Sequence, residues 1–144
     1  RIDETQIRLR SVHGPRFHYI RNYTQGAGFL TLNRYKEKCF LVKPLMRQLH
    51  AAGKLTGPPA DLMKPFPREM LFDTRLDPHE IKNLATSKNP IHQAALKRLR
   101  AALDTWQTAT NDRGHLPEPP EVVAPFTQEM HNWFGTPDWV KENK

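Results

Sequence analysis

Apolar and polar positions alternate over the first part of the chain. In Gln6-Ile7-Arg8-Leu9-Arg10-Ser11-Val12, Ile7 and Leu9 alternate with Arg8 and Arg10, and in Phe17-His18-Tyr19-Ile20-Arg21-Asn22-Tyr23 the aromatic residues Phe17, Tyr19 and Tyr23 fall on odd positions. His13-Gly14-Pro15-Arg16 lies between the two runs and is a turn signal. Residues 6–23 are therefore predicted to form a β-hairpin, with Ile7, Leu9, Phe17, Tyr19 and Ile20 over its core. Gly26 and Gly28 then interrupt the pattern, and Phe29-Leu30-Thr31-Leu32 reads equally as loop or strand.

Helical spacing first shows from Pro44 to Leu55, where Leu45, Leu49 and Ala52 share a face and Gly53 marks the end. The prolines and glycine of residues 56–68 predict an extended connector. Glu69-Met70-Leu71-Phe72-Asp73 is a short strand candidate. After it, Asp77 is placed to cap a short helical turn, with Pro78 at its first position and Glu80 bonding back to the cap. Ile81 and Leu84 would then face the core.

The strongest periodic signal spans residues 90–110. Asn89 is suited to the N-cap and Pro90 to the first helical position, while Ala95, Leu96, Leu99, Ala102, Leu103 and Trp106 form one apolar stripe. Such a stripe needs a surface to cover, and a small antiparallel sheet is its natural partner, giving an α+β class. Beyond Asn111-Asp112-Arg113-Gly114 the composition shifts. Pro117, Pro119, Pro120 and Pro125 argue against a long helix, so an irregular Pro-rich tail is expected. Its anchors would be Phe126, Met130, Trp133, Phe134 and Trp139. The domain division that follows is residues 1–114 for sheet and helix, and 115–144 for a Pro-rich, aromatic extension.

Composition adds limits rather than a function. At 144 residues the chain suits one compact domain. No apolar run approaches the roughly 18–20 residues of a membrane span. An N-terminus of Arg1-Ile2-Asp3-Glu4 has neither an initiator Met nor a signal core, so the chain is expected to begin inside a longer protein. The single cysteine, Cys39, excludes an internal disulfide and a cysteine zinc site, and is expected to be a small buried packing residue. Lys plus Arg number 22 against 15 Asp plus Glu, a formal charge of +7, which permits contact with polyanions.

Candidate chemistry is sparse. Ser11 and Ser87 lack a nucleophile elbow, and Cys39 has no recognisable activating partner in sequence. The seven histidines show no H-x-x-x-H pair, and Asp73, Asp77 and Glu80 lack the Gly and spacing of a calcium loop. Gly26-Ala27-Gly28 is not a phosphate loop. Arg8, Arg10, Arg16 and Arg21 interleave with Phe17, Tyr19 and Tyr23, so one alternative is a free-standing basic module that binds nucleic acid or another polyanion.

Several stretches together resemble the C-terminal part of a bacterial-type sulfatase of the formylglycine-dependent, alkaline-phosphatase-like superfamily. Glu69-Met70-Leu71-Phe72-Asp73 through Asp77-Pro78-His79-Glu80-Ile81-Lys82-Asn83-Leu84-Ala85 is similar to the E-L-Y/F-D-L…D-P-x-E-x-x-N-L-A segment of that family. Arg1-Ile2-Asp3-Glu4, Ile7-Arg8 and Tyr19-Ile20-Arg21-Asn22-Tyr23 are similar to its R-x-D-E…I-R-x-V…Y-I-R-N-Y run. Leu96 to Trp106 with Asp112-Arg113-Gly114-His115-Leu116-Pro117-Glu118 is similar to its last helix and exit. The resemblance covers residues 1–118.

It implies a subdomain built from a small antiparallel sheet of about four strands and a long helix, docked on a larger catalytic domain. That partner would hydrolyse sulfuric esters, with formylglycine and calcium in the catalytic domain and no cofactor in this stretch. The family's C/S-x-P-x-R motif does not match here: Cys39 is followed by Phe40-Leu41-Val42-Lys43. No catalytic residue or metal ligand maps onto the chain. Arg1, Asp3 and His13 are the candidates for touching a sulfated substrate, carbohydrate among the options, at the cleft wall; ion pairs with the catalytic domain are the alternative role. An exposed docking face would also permit self-association. Periplasmic or secreted localisation is implied only by analogy.

Overall fold

The structure, a computed structural model, describes residues 4–24 and 26–142. Its elements in chain order are β1 (Leu9–His13), β2 (Phe17–Asn22), α1 (Arg34–Cys39), α2 (Val42–Ala51), α3 (Pro58–Asp61), β3 (Glu69–Asp73), α4 (Pro90–Thr110), α5 (Pro120–Phe134) and α6 (Asp138–Glu142). They fall into two compact units. One comprises Ile7–Gln25 and Phe66–Pro117; the other comprises Arg1–Gln6, Gly26–Pro65 and Glu118–Lys144.

The first unit is the predicted sheet and helix. Its strands form an antiparallel sheet in the order β1-β2-β3. Among the described residues the sheet has three strands rather than about four. Phe29-Leu30-Thr31-Leu32 does not supply a strand, because the chain turns there, with Thr31 N–H donating to the Gly28 carbonyl at 3.1 Å. Helix α4 runs over the predicted span, with the Asn89 side chain accepting from Ile91 N–H and Pro90 in the first turn. It ends where Asn111 enters the left-handed region at φ 49°.

Ala95, Leu96, Leu99 and Leu103 of α4 pack with Phe17, Tyr19 and Leu71 to form the core, with Val12, Leu84 and Ala85 at its margin. The sheet register decides which residues of β1 contribute. Val12 pairs with Tyr19 and so shares its face, whereas Leu9 pairs with Asn22 and Ser11 with Ile20. Leu9 and Ile20 therefore lie on the face away from the Tyr19 core, and they are only half-buried, as is Ile7. A single-residue change of phase moves every side chain to the other face, which is why alternation in residues 7–12 pointed to the wrong set. Ala102 and Trp106 of the α4 stripe are also exposed, so the face that meets the core narrows to Ala95, Leu96, Leu99 and Leu103.

One edge of the core is closed by a polar clamp. Tyr19, fully buried, donates its hydroxyl to Glu69 Oε1 at 2.6 Å and accepts from Arg21 Nε at 2.9 Å. Arg100 of α4 donates to both Glu69 oxygens, at 2.7 and 2.5 Å. Burial, reinforced by the bond to Glu69, pushes the Tyr19 hydroxyl up to a pKa of about 12. The Arg100 guanidinium holds the Glu69 carboxyl below its usual range.

In the second unit α1 is capped by Asn33, whose side chain accepts from Lys36 N–H. Glu37 is buried between Arg47, at 3.0 Å, and Lys43, at 3.5 Å. Lys43 also donates to the Thr31 carbonyl at 2.9 Å, and its burial pulls its ammonium pKa below the ordinary lysine value. Helix α2 thus turns a charged residue inward: Leu45 and Ala52, expected on the buried face, are exposed, and Leu49 is half-buried. Gly53 follows the helix at φ 66°, as its stop signal predicted.

The Pro-rich tail is not irregular. Helix α5 forms across residues 120–134 with Pro120 in its first turn and Pro125 inside. Val123 and Met130, seven residues apart, are both buried, and Phe134 meets Tyr35 of α1 with ring centroids 5.5 Å apart. Tertiary burial along this face outweighs the local cost of Pro125. Trp133, one of the expected anchors, is exposed; the side chain of Trp139 lies outside the described residues. The expected connector 56–68 likewise contains one turn of helix, α3. Cys39, expected to be buried, is exposed, because it sits at the last position of a short helix whose inward face is taken by Glu37. Among the described residues, no helix is long and apolar enough to cross a membrane.

Candidate functional site

Of the residues singled out for substrate contact, Arg1 and Asp3 lie outside the described residues. His13 is described, and it sits at the free end of the hairpin. The turn that follows it is closed by Gly14 N–H donating to the Phe17 carbonyl at 2.9 Å. This puts His13 and His18 opposite one another as the last rung of the β1–β2 ladder. Directly paired residues of antiparallel strands project from the same face with Cβ atoms roughly 4.5–5.5 Å apart. The two imidazole rings accordingly lie with centroids 4.7 Å apart, tilted by 32°.

The loop after β3 brings a carboxylate to this pair. Asp77 was expected to cap a helical turn with Glu80 bonding back to it. Instead the Asp77 carboxylate accepts from Lys82 N–H at 2.7 Å, and the segment is a turn. This bond holds the Asp77 carboxyl below its usual pKa. Ile81, expected to face the core, is exposed. Glu80 takes up a left-handed backbone at φ 52°, a conformation rare for a residue with an unbranched charged side chain. It reaches away from the cap, placing Oε1 2.8 Å from His18 Nδ1. His13 Nδ1 lies 3.1 Å from the Gly14 carbonyl. A ligand-capable atom from each of His13, His18 and Glu80 lies within 4.8 Å of the others. Sequence spacing did not reveal this set; the hairpin register is the signal that joins the two histidines.

Arg16 borders the site but is committed elsewhere, donating from Nε at 2.9 Å and Nη2 at 2.6 Å to Asp73 Oδ2. This guanidinium holds the Asp73 carboxyl below its usual range. The remaining hairpin arginines are similarly engaged. Arg10 forks onto Asp112 at 2.9 and 2.8 Å, which lowers the Asp112 pKa to about 2. Arg21 pairs with Asp104 at 2.5 Å, and Arg8 donates to the Tyr23 and His115 carbonyls. Phe17 and Tyr19 are buried. The interleaved arginines and aromatics that suggested a nucleic-acid surface are thus the internal fastenings of the sheet, not a stacking platform.

The second unit holds an open cavity of about 590 Å³ lined by residues that include Arg34, Glu37, Lys38, Arg47 and Phe134. Its inner cations are already paired, Arg34 with Glu4 and Arg47 with Glu37 and the Leu30 carbonyl. Beside these charged residues, Phe40, Leu41, Val42 and Leu45 are all about half exposed or more, Leu41 reaching 78%. They form a run of uncovered apolar side chains at the start of α2, of the kind that marks an interaction surface.

A small antiparallel sheet under one long helix is the architecture the motif resemblance implies, with three strands among the described residues in place of about four. No protein-family model matches the chain. Over 116 residues, 80% of its length, the chain is 41% identical to the ulvan-active sulfatase of Formosa agariphila. It spans 19% of that protein's length. The chain is therefore similar to one part of a sulfatase.

Proposed function

We propose that this chain is the C-terminal region of a sulfatase and that it packs on the catalytic domain, forming one wall of its substrate cleft. The observation that carries this reading is the asymmetry of the match: 41% identity over most of this chain against 19% of a much longer sulfatase. A catalytic domain elsewhere in the parent protein would supply the nucleophile, a formylglycine, and the calcium that neutralises the sulfate. Two features support the division of labour. Cys39 is not in the C/S-x-P-x-R context of the nucleophile. Phe40, Leu41, Val42 and Leu45 are apolar and uncovered, as a domain-docking face requires.

The substrate class that follows is a sulfated polysaccharide, with ulvan as the first to try. Arg1, Asp3 and His13 are the residues assigned to the cleft wall, where a guanidinium such as Arg1 forks onto a sulfate or carboxylate.

The test is release of inorganic sulfate from ulvan by the product of the complete reading frame, beside the 144-residue chain alone. The complete protein is expected to release sulfate and the chain alone to release none. Hydrolysis by the chain alone, or none by the complete protein on any sulfated glycan, overturns the reading. In the complete protein, Arg1→Ala is expected to raise KM; unchanged KM and kcat remove Arg1 from the cleft wall.

A further inference from the structure

We propose that His13, His18 and Glu80 form a binding site for one divalent transition-metal ion of the zinc class. The cluster needs no catalytic domain to form; it shares His13 with the proposed cleft wall, while His18 and Glu80 belong to it alone.

The first support is the ligand set. Two imidazoles and a carboxylate suit zinc and its neighbours, whereas calcium and magnesium prefer cages of oxygen alone. Two histidines and one glutamate also leave an open position for water, as in three-ligand zinc sites. The second support is placement. His13 and His18 are fixed as a directly opposed pair by the β1–β2 register, and their rings face each other at 4.7 Å. The three side chains offer ligand atoms within 4.8 Å of one another, so χ rotations of the exposed His13 and of Glu80 bring them onto one ion at about 2.0–2.2 Å.

The third support is Glu80 itself. It carries a left-handed φ of 52°, one of two such non-glycine residues among those described. Strain of this kind persists where the surroundings hold it, and it clusters at ligand sites. Here the Asp77–Lys82 bond fixes the turn, and the result is a carboxylate directed at His18. The fourth support is the outer partner of each ring. Both contacts are made by Nδ1, to the Gly14 carbonyl and to Glu80, so Nε2 is the ring nitrogen that each histidine would offer to an ion. Ligating histidines are commonly oriented in this way. In that arrangement Glu80 either orients His18 or swings onto the ion. Both roles place it in the site.

A bound ion would tie the hairpin end, His13 and His18, to the turn at residues 77–82. The chain also carries histidines at positions 50, 79, 92, 115 and 131, so the test has to separate this site from scattered ones.

Titration of the protein with ZnCl2 by calorimetry is expected to show one site per chain that CaCl2 and MgCl2 do not fill. His13→Ala and His18→Ala are each expected to weaken it by ~10-fold or more, and Glu80→Gln by ~10–100-fold, with His50→Ala as a control that changes nothing. His13 is exposed at a turn, so its variant keeps the fold; coincident far-ultraviolet dichroism of the variants verifies this. In parallel, zinc should broaden or shift the ring resonances of His13 and His18 before those of the other histidines. Absence of zinc binding overturns the proposal. So does affinity that His13→Ala leaves unchanged, or ring shifts that begin at other histidines.

Discussion

The polar clamp over the sheet edge permits a quantitative test. In Glu69→Ala the Tyr19 hydroxyl, on a fully buried side chain, loses its acceptor. It still accepts from Arg21 Nε, but its own proton has nowhere to go. A buried donor left unsatisfied costs about 1–3 kcal/mol. The same substitution breaks the fork from Arg100, but that side chain is 42% exposed and is rehydrated, so the pair adds only about 0–1 kcal/mol. The expected destabilisation is about 1–4 kcal/mol, the larger part of it from the hydroxyl. In a Tyr19→Phe background, Glu69→Ala should cost only the Arg100 part, about 0–1 kcal/mol, so the two substitutions should couple by about 1–3 kcal/mol. Urea unfolding of wild type, both single variants and the double variant at neutral pH measures the cycle. Equal costs of Glu69→Ala in both backgrounds would show that the hydroxyl is not what Glu69 stabilises.

Other expectations follow from the core, the close approaches and the carboxylates. Leu103→Ala, which truncates a fully buried side chain between α4 and the sheet, should cost about 2–5 kcal/mol; a loss below about 1 kcal/mol in urea unfolding would mean that the core collapses around it. A Cβ on Gly114 would meet Arg10 Nη2 at 1.4 Å, and one on Gly28 would meet the Lys64 carbonyl oxygen at 2.4 Å. Gly114→Ala should therefore displace a side chain, raising the Asp112 pKa from about 2 toward the usual aspartate value, while Gly28→Ala has to move backbone and should destabilise more. Carboxyl titration by NMR and thermal melts check both. Glu69, Asp73 and Asp112 are all held below their ordinary pKa by hydrogen bonds from Arg100, Arg16 and Arg10. A depressed folded-state pKa stabilises above the unfolded value and is lost as pH falls, so the urea midpoint should be flat above about pH 5 and decline between about pH 4 and 2; a midpoint unchanged over that lower interval would contradict it.

The parts that could be read from the chain are those where one period dominates. Helix α4 is legible because its stripe is long and its cap, Asn89-Pro90, is unambiguous; β2 and β3 are legible because aromatic and aliphatic residues cluster between turn signals. The face of β1 was not legible. Residues 7–12 offer apolar side chains in both phases, and only the pairing of Val12 with Tyr19 decides between them. Helix α5 was hidden by its prolines, since local propensity says nothing of the burial of Val123 and Met130. Charge also misled in α2, where Lys43 and Arg47 point inward to meet Glu37. In the candidate site His13 was legible only through the family resemblance. Its approach to His18 follows from hairpin register, but Glu80 joins from 62 residues beyond His18 through a turn conformation that no pattern announces.

The central claim, that this chain works as one region of a longer sulfatase, is tested most directly by reading the coding sequence upstream of Arg1. An open frame that continues upstream and encodes a C/S-x-P-x-R motif in frame with this chain is expected. A start codon immediately before Arg1, with no such motif in the same frame, would contradict it.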